Sequence, residues 1–347
     1  MRRFLRVLRR IGFGVLLALL LLEITLQVLQ RTLHPALYTL NAELGWRLSP
    51  DLDRVLADED GRTIRMRTGA EGLRIPARAG AVAERQGGVL FLGDSFTMGG
   101  QVEAEECFAF LVGQELASGL PCINAGVGGW STWQEALALE ELLARFRPRL
   151  VVLVVYENDF VDNLMPYFSG LGPRPHLWID GDGFVHGMPS EPATFDAFLP
   201  AVPAAFWLYR HSAIFRSYLK NVFLPRNADA LASREASARD RVNESAQRIA
   251  MAHALEVVRR AVAATDARWM VCAIPSREQV QESEAPPSHA WLAANLEELG
   301  VPYLSLWPSL KEAGVAANYY PKDIHFNRLG HANAARALTP VIREALR

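Results

Sequence analysis

Short apolar runs recur along the chain and end in Gly, Asn or Pro, which is the pattern of buried strands in a parallel sheet. Amphipathic stretches lie between these runs; Phe108, Leu111, Val112 and Leu116, for example, repeat at helical spacing. Strands that alternate with helices predict a doubly wound α/β sheet with right-handed crossovers. The five predicted strands cover residues 88–92, 121–123, 150–155, 269–274 and 303–306.

The interval between the third and fourth predicted strands is about 115 residues long, whereas a strand–helix–strand unit needs only about 30. We therefore predict a large, mostly helical insertion over residues 160–265, with a long helix from about 236 to 264. The Asp-Gly-Asp-Gly segment at 180–183 favours a hairpin turn and lacks the distal Glu of a calcium loop. Two interpretations of the aromatic stretch 206–223 stay open: core packing within the insertion, which we favour, or a lid that faces the membrane or an acyl chain.

The first 35 residues have the pattern of a membrane-targeting segment. Residues 1–10 carry five arginines and no acid, and the predominantly apolar run from Ile11 to Leu29 contains one charge, Glu23. About 19 residues at 1.5 Å each span nearly 30 Å, close to a bilayer core. We predict a transmembrane signal anchor with a cytoplasmic N-terminus, which places the rest of the chain in the periplasm or outside the cell. A cleaved signal peptide is the alternative, disfavoured because no pair of small residues follows Leu22 at cleavage-site spacing.

Composition and charge limit the function classes. Half of the 347 residues are apolar, so we expect a folded protein. The 36 basic and 38 acidic residues nearly balance, so we do not expect nucleic-acid binding. Three cysteines, Cys107, Cys122 and Cys272, are too few and too scattered for a disulfide framework or a four-ligand zinc site; a single bridge between Cys107 and Cys122 stays open. We predict a lead-in segment over residues 36–84 and one domain over residues 85–347.

Polar motifs follow the predicted strands at the points where the strands end, and ligands of open α/β sheets bind at that edge. The motifs are Gly93-Asp94-Ser95, the glycine-rich turn 124–129, Asn158-Asp159, and Asp323 with His325. A serine hydroxyl needs a base, a group that orients the base, and donors for the oxyanion. The set supplies each of them at one edge of the sheet.

The roles follow from the residue types. Ser95 would attack, His325 would act as general base and then acid, and Asp323 would hold the imidazole tautomer. The oxyanion donors would be the N–H groups of Ser95 and Gly129 and the side-chain amide of Asn158. Singly, Ser95 and Asp323 are typical helix caps and Asn158 a turn residue. Four motifs in order, each after a strand, favour the catalytic interpretation.

These motifs resemble the four sequence blocks of the SGNH or GDSL hydrolases, over about residues 85–160 and 265–345. The resemblance implies a flavodoxin-like sheet, ester hydrolysis through an acyl-serine intermediate, and no metal or organic cofactor. Two positions depart from the family pattern: Tyr156 stands where a glycine is usual, and the acid lies two residues before the histidine instead of three. The shorter spacing is similar to that of the membrane-associated polysaccharide O-acetyltransferase branch.

From these observations we expect a membrane-anchored, extracytoplasmic serine hydrolase that cleaves an ester, with a small acyl group on a cell-envelope glycan as substrate. Three alternatives stay open. One is an O-acyltransferase that modifies an exopolysaccharide with the same triad. Another is a catalytically inactive glycan-binding or assembly protein that keeps the fold. The third, which is compatible with activity, is a scaffold whose insertion docks a membrane-bound acyltransferase as partner.

Overall fold

A five-stranded parallel sheet forms the centre of the computed structural model, which describes residues 2–32, 36–77, 86–116, 120–168, 171–191, 202 and 204–347. The strands are β1 Tyr38–Asn41, β2 Gly45–Leu48, β3 Asp53–Ala57, β4 Thr63–Arg67, β5 Val89–Leu92, β6 Cys122–Asn124, β7 Leu150–Tyr156, β8 Tyr167–Phe168, β9 Gly172–Pro173, β10 His176–Ile179, β11 Val185–Met188, β12 Arg268–Ile274 and β13 Tyr303–Ser305. The order β13-β12-β7-β5-β6 in the central sheet confirms the predicted α/β class and all five predicted strands.

Helices cover both faces of this sheet. In the described part of the chain, the helices are α1 Arg2–Thr32, α2 Ser95–Met98, α3 Phe108–Glu115, α4 Thr132–Phe146, α5 Asp159–Asp162, α6 Ala205–His211, α7 Ala213–Tyr218, α8 Leu224–Arg239, α9 Glu244–Ala263, α10 Arg277–Gln281, α11 Pro287–Glu298, α12 Trp307–Ala313, α13 Val315–Asn318 and α14 Arg328–Ala345, with a 3₁₀ turn at Ala104–Glu106 and a π turn at Leu219–Phe223. Leu90 of β5 packs into the apolar cluster of α4 and α9, whereas Val89 and Phe91 pack into that of α3 and α14. This alternation, with helices on both sides, is the doubly wound arrangement.

The lead-in segment forms two antiparallel hairpins, β1–β2 and β3–β4, and packs on the second motif. Trp46 is buried, and its Nε1–H donates to the carbonyl of Gly128 at 2.9 Å. The Trp130 Nε1–H in turn donates to the carbonyl of Trp46 at 2.8 Å. The hairpins therefore lie at the edge of the sheet that carries the candidate chemistry. The predicted boundaries near residues 35 and 84 lie outside the described residues.

The insertion differs from the expectation in one respect: the predicted long helix over 236–264 is wrong. The chain forms two helices instead, α8 and α9, separated by residues 240–243. Asn243 begins α9, and its Oδ1 accepts the N–H of Ala246 at 2.8 Å. Asn is a strong N-cap because its side chain satisfies a free backbone donor, so it starts a new helix where the Arg/Glu/Ala-rich composition alone suggests continuation.

Two further expectations for the insertion concern its hairpin and its aromatic residues. The turn at 180–183 joins β10 to β11, as predicted, and Asp180 Oδ1 accepts the N–H groups of Asp182 and Phe184. The aromatic stretch divides between the two interpretations. A small core surrounds Ala205 and Leu219 and includes Phe206, Tyr209, Phe215 and Phe223. Trp207 and Tyr218 remain 60% and 46% exposed.

The N-terminal helix α1 is 31 residues long. Its window Arg3–Gln30 is long and apolar enough to cross a membrane, and none of it is buried in the rest of the protein. Such a helix is either a signal sequence or an anchor. Cys107 and Cys122 are separate thiols with no disulfide between them.

Candidate active site

Ser95 lies at the carboxyl end of β5, at the first position of helix α2. Asp94 caps this helix, because its Oδ1 accepts the N–H of Phe96 at 2.8 Å. The short helix fits closely against the second motif: a Cβ on Gly126 would lie 2.3 Å from the N of Met98. Gly126 is therefore required for the close approach of the two backbones that places Ser95 at the sheet edge.

His325 and Asp323 reach Ser95 from the loop before α14. The Nε2 of His325 lies 2.7 Å from Ser95 Oγ, and its Nδ1 forms a short hydrogen bond with Asp323 Oδ1. This hydrogen bond from His325 lowers the pKa of Asp323 and outweighs the opposing effect of burial. An ionised Asp323 accepts the Nδ1–H, so Nε2 is left as the acceptor for the serine proton. The side chains of His325 and Asp323 are 17% and 33% exposed, so the site is open to solvent.

Two residues hold the loop that carries the acid, and the sequence analysis identified neither. Glu59, in the turn between β3 and β4, accepts the N–H groups of Lys322 at 2.8 Å and Asp323 at 2.7 Å. Gln101 Nε2 lies 3.4 Å from Asp323 Oδ2 and 2.9 Å from His325 Nδ1. Because the Nδ1–H already points to Asp323, the amide donates to the carboxylate. Glu59 is more than 260 residues away in sequence, and no local motif marks it.

The predicted oxyanion donors flank Ser95 on both sides. Gly129 follows β6 and has a φ of +76°, a left-handed conformation that glycine adopts without strain. Asn158 follows β7, and β6 and β7 are the two neighbours of β5 in the sheet. Asn158 Nδ2 donates one hydrogen to Asp162 Oδ2 at 2.8 Å, which leaves its second hydrogen for a ligand. The Ser95 N–H has no backbone acceptor within its helix, since Ser95 is the first helical residue, and it interacts with the carboxylate of Asp94.

Arg174, another residue that the sequence analysis missed, connects Gly129 with Asp162, the hydrogen-bond partner of Asn158. Its buried guanidinium donates from Nη1 to the carbonyl of Gly129 at 3.1 Å and from Nε to that of Met165 at 2.9 Å. Its Nη2 lies 3.1 Å from Asp162 Oδ1, and Arg239 Nη2 lies 2.5 Å from the same oxygen. The insertion thus holds the carboxylate that orients Asn158 and the carbonyl of Gly129.

Besides Asp162, three acids are buried beneath the site. Burial raises the pKa of Asp94 to about 6, against the opposing hydrogen bond from Phe96 and the charge of His325. Burial, reinforced by neighbouring carboxylates, raises the pKa values of Glu135 and Asp159 well above their usual range. Asp159 Oδ2 accepts the N–H of Tyr156 at 2.9 Å and so holds the end of β7.

Tyr156, the departure from the family pattern, packs beneath the nucleophile helix. Its ring lies 4.4 Å from that of Phe96, which lies 5.0 Å from the His325 ring. Tyr156 is buried, so its aromatic ring supports the histidine side of the site through Phe96. Among the described residues, no group of three or more His, Cys, Asp and Glu side chains is placed to hold a metal ion.

Comparison with known proteins gives one family and a set of similar structures. The model of the GDSL-like lipase/acylhydrolase family matches residues 91–332. A carbohydrate acetylesterase family member from Sinorhizobium meliloti is 14% identical, with a TM-score of 0.39, 75% of this chain and 99% of that chain covered. The psychrotrophic esterase EstA from Pseudoalteromonas sp. is 12% identical, with a TM-score of 0.39, 75% of this chain and 99% of that chain covered. A two-domain esterase active on acetylated mannans is 14% identical, with a TM-score of 0.42, 75% of this chain and 50% of that chain covered. No curated protein matches the chain.

Proposed function

Because the chain belongs to the GDSL-like lipase/acylhydrolase family, we propose that it is a membrane-anchored serine esterase that removes a small acyl group from a cell-envelope glycan outside the cytoplasm. The family confirms the resemblance inferred from the four sequence motifs. The observation that carries the proposal is the contact of 2.7 Å between Ser95 Oγ and His325 Nε2, with Asp323 on the other ring nitrogen.

The proposed reaction uses each of these groups in turn. Ser95 Oγ attacks the ester carbonyl carbon while its proton passes to His325 Nε2, and the carbonyl oxygen becomes an oxyanion beside the donors of Ser95, Gly129 and Asn158. The bond to the sugar oxygen then breaks, and His325 returns the proton to the leaving hydroxyl. A water molecule gives a proton to Nε2 and its oxygen attacks the acyl carbon. The bond from this carbon to Ser95 Oγ then breaks, Nε2 returns the proton to Oγ, and the carboxylic acid leaves.

Two observations support a glycan as the substrate. His325 and Asp323 are partly exposed, so a bulky polymer has access to the reacting atoms. The apolar helix α1 supports an anchor, which keeps the protein next to envelope polysaccharides. The proposed organisation is that of the sequence analysis: an anchor in residues 1–35, a lead-in over 36–84, and a hydrolase domain over 85–347 that contains the insertion.

A second candidate function is O-acyl transfer to an exopolysaccharide by the same triad. The spacing of Asp323 and His325 favours it, because the acid stands two residues before the histidine. The acyl-serine would then react with a sugar hydroxyl instead of water, with a membrane-bound acyltransferase as acyl source. Measurement of acetyl release with and without acceptor glycan separates the two functions. An acetylated product that depends on the acceptor supports transfer, whereas release of free acetate alone supports hydrolysis.

The test of the proposed nucleophile is covalent labelling of the full chain in detergent with a fluorophosphonate, followed by peptide mass spectrometry. We expect the label on Ser95 and its loss in the His325→Ala variant, since the hydroxyl is then no longer activated. No label on a folded wild-type protein would contradict the proposal and favour the non-catalytic glycan-binding alternative.

A further inference from the structure

Polar residues in the C-terminal part of helix α1 contact the insertion. The carboxylate of Glu23 accepts hydrogen bonds from the N–H of Ala213 at 2.6 Å, the N–H of Ile214 at 3.1 Å and the hydroxyl of Ser212 at 2.9 Å. Glu23 thereby satisfies backbone donors at the beginning of α7. Gln30, two turns farther along α1, accepts a hydrogen bond from Arg216 Nε at 3.2 Å. The one charged residue in the apolar run is therefore paired with the insertion.

The part of the insertion that contacts α1 has the composition of a membrane-surface helix. Residues 205–228 contain six aromatic residues, four Lys or Arg and no Asp or Glu. Trp207 and Tyr218 are largely exposed, as are the cations Arg210 and Lys220. Aromatic rings and cations together are typical of helices that lie in the headgroup region of a bilayer, where rings enter the acyl boundary and cations face anionic lipids.

The depth of Glu23 in the bilayer also supports a membrane-surface position for this part of the insertion. It precedes Leu29, the end of the apolar run, by six residues, or about 9 Å along a helix. A carboxylate at that depth is costly unless it is paired. Its partners are on α7, so α7 reaches the same depth as Glu23. Interfacial helices bury their apolar face by about 5–10 Å, which matches this depth.

We propose that residues 205–223, here called the docked segment, lie at the extracytoplasmic headgroup–acyl boundary of the lipid bilayer and are held there by Glu23 of α1. The inference rests on the anchor in the proposed function. It gives the insertion a second membrane contact beside the anchor, with Trp207 and Tyr218 facing lipid. It also requires that α1 be retained, because a cleaved α1 would remove the acceptor at the beginning of α7.

The test is site-specific fluorescence of the full chain in nanodiscs that contain an anionic lipid fraction. Cysteines 107, 122 and 272 are buried, so a thiol-reactive environment-sensitive dye reports only an introduced cysteine. The variants are Trp207→Cys and Tyr218→Cys in the docked segment, Leu17→Cys in α1 and Val55→Cys on the distant hairpin β3–β4, all at exposed positions. Quenching by lipids with a nitroxide at a shallow or a deep acyl position gives the depth of each dye.

We expect blue-shifted emission and strong shallow quenching for the dye on Trp207→Cys and Tyr218→Cys, deep quenching for Leu17→Cys, and none for Val55→Cys. Quenching at Leu17→Cys with none in the docked segment would overturn the inference and leave the anchor standing. No quenching at Leu17→Cys would overturn the anchor as well. Dyes in the docked segment that become shielded only in native membranes, and not in nanodiscs, would assign this surface to a partner protein and also overturn the inference.

The coupling to Glu23 has its own matched pair of variants. In the Trp207→Cys background, Glu23→Leu removes both carboxylate oxygens that accept from Ser212, Ala213 and Ile214, whereas Glu23→Gln keeps one acceptor oxygen. We expect the shallow quenching to fall to the level of the Val55→Cys control with Glu23→Leu, and to be largely kept with Glu23→Gln. Unchanged quenching in Glu23→Leu would refute the role of Glu23 in holding the segment.

Discussion

Replacement of Arg174 by methionine tests whether the insertion supports the oxyanion side of the site. The guanidinium is fully buried, and it contacts the carboxylate of Asp162 and the carbonyl of Gly129. Methionine is unbranched and adaptable, so it replaces the apolar stem of the arginine while it removes the charge and the hydrogen bonds of the guanidinium. Asp162 then loses one of its two cations, and Gly129 loses the donor that holds its carbonyl.

The size of the effect follows from burial. Loss of one partner from a buried ion pair costs about 3–5 kcal/mol, because the remaining charge stays desolvated. Asp162 keeps its contact with Arg239, whose side chain is 27% exposed, so we expect the lower end, about 3 kcal/mol in the free energy of unfolding. Loss of one oxyanion donor lowers kcat by about 10²–10³-fold. Arg174→Met displaces Gly129 and Asn158 without removing them, so we expect a smaller fall in kcat, about 10–100-fold.

The assay combines denaturant unfolding with steady-state hydrolysis of a small activated acetate ester by the full chain in detergent. We expect kcat to fall with little change in KM, because oxyanion contacts strengthen in the transition state. Arg248→Met is the matched control, since Arg248 forms an exposed pair with Glu244 far from the site. A wild-type kcat in a destabilised Arg174→Met protein would refute the link between the insertion and the oxyanion donors.

Three further predictions concern the nucleophile, the acid loop and the buried acids. Ser95→Ala should lower kcat at least about 10³-fold while the free energy of unfolding changes by less than about 1 kcal/mol. Steady-state kinetics and unfolding curves check the two values. A wild-type kcat in this variant would exclude Ser95 as the nucleophile. Glu59→Ala removes the acceptor of the acid loop and should lower kcat about tenfold, whereas Asp60→Asn in the same turn should leave it unchanged; equal rates in the two variants would contradict the positioning role of Glu59. Burial raises the pKa of Glu135, so its favourable contribution is present below the usual glutamate pKa and is lost as the pH rises toward the folded-state value. Glu135→Gln should therefore gain stability relative to the wild type between pH 4 and pH 8 in urea unfolding, and a constant difference across that range would show that the carboxyl does not titrate in this way.

The sheet was predictable from the sequence because its determinants are local. β7 consists of seven consecutive buried apolar residues. Such a continuous apolar run is typical of a strand that is covered by helices on both faces of the sheet. The break between α8 and α9 was missed because the Arg/Glu/Ala-rich composition is typical of a helix on both sides of it, while the decisive residue, Asn243, is a polar cap in a polar stretch.

In the candidate site, too, the residues marked by local sequence were predictable, and those that act through distant contacts were not. Ser95, Gly129 and Asn158 follow strands directly, so the sheet brings them to one edge, and their proposed roles came from residue type and order. Arg174 and Glu59 act through contacts between distant segments, Arg174 with Gly129 and Glu59 with Asp323. Nothing in their local sequence marks these partners, since arginine and glutamate are ordinary surface residues until the fold buries or pairs them.

In the arrangement proposed above, helix α8 sets the distance between the membrane and the candidate active site. It follows the docked segment and ends at Arg239, which contacts Asp162 beside Asn158. Sixteen helical residues span about 24 Å, so Ser95 would remain in a thin layer next to the lipid whatever the tilt of the helix. An esterase anchored in this way would encounter its substrates by diffusion in two dimensions, and only acyl groups near the lipid end of an envelope polymer would come within its reach.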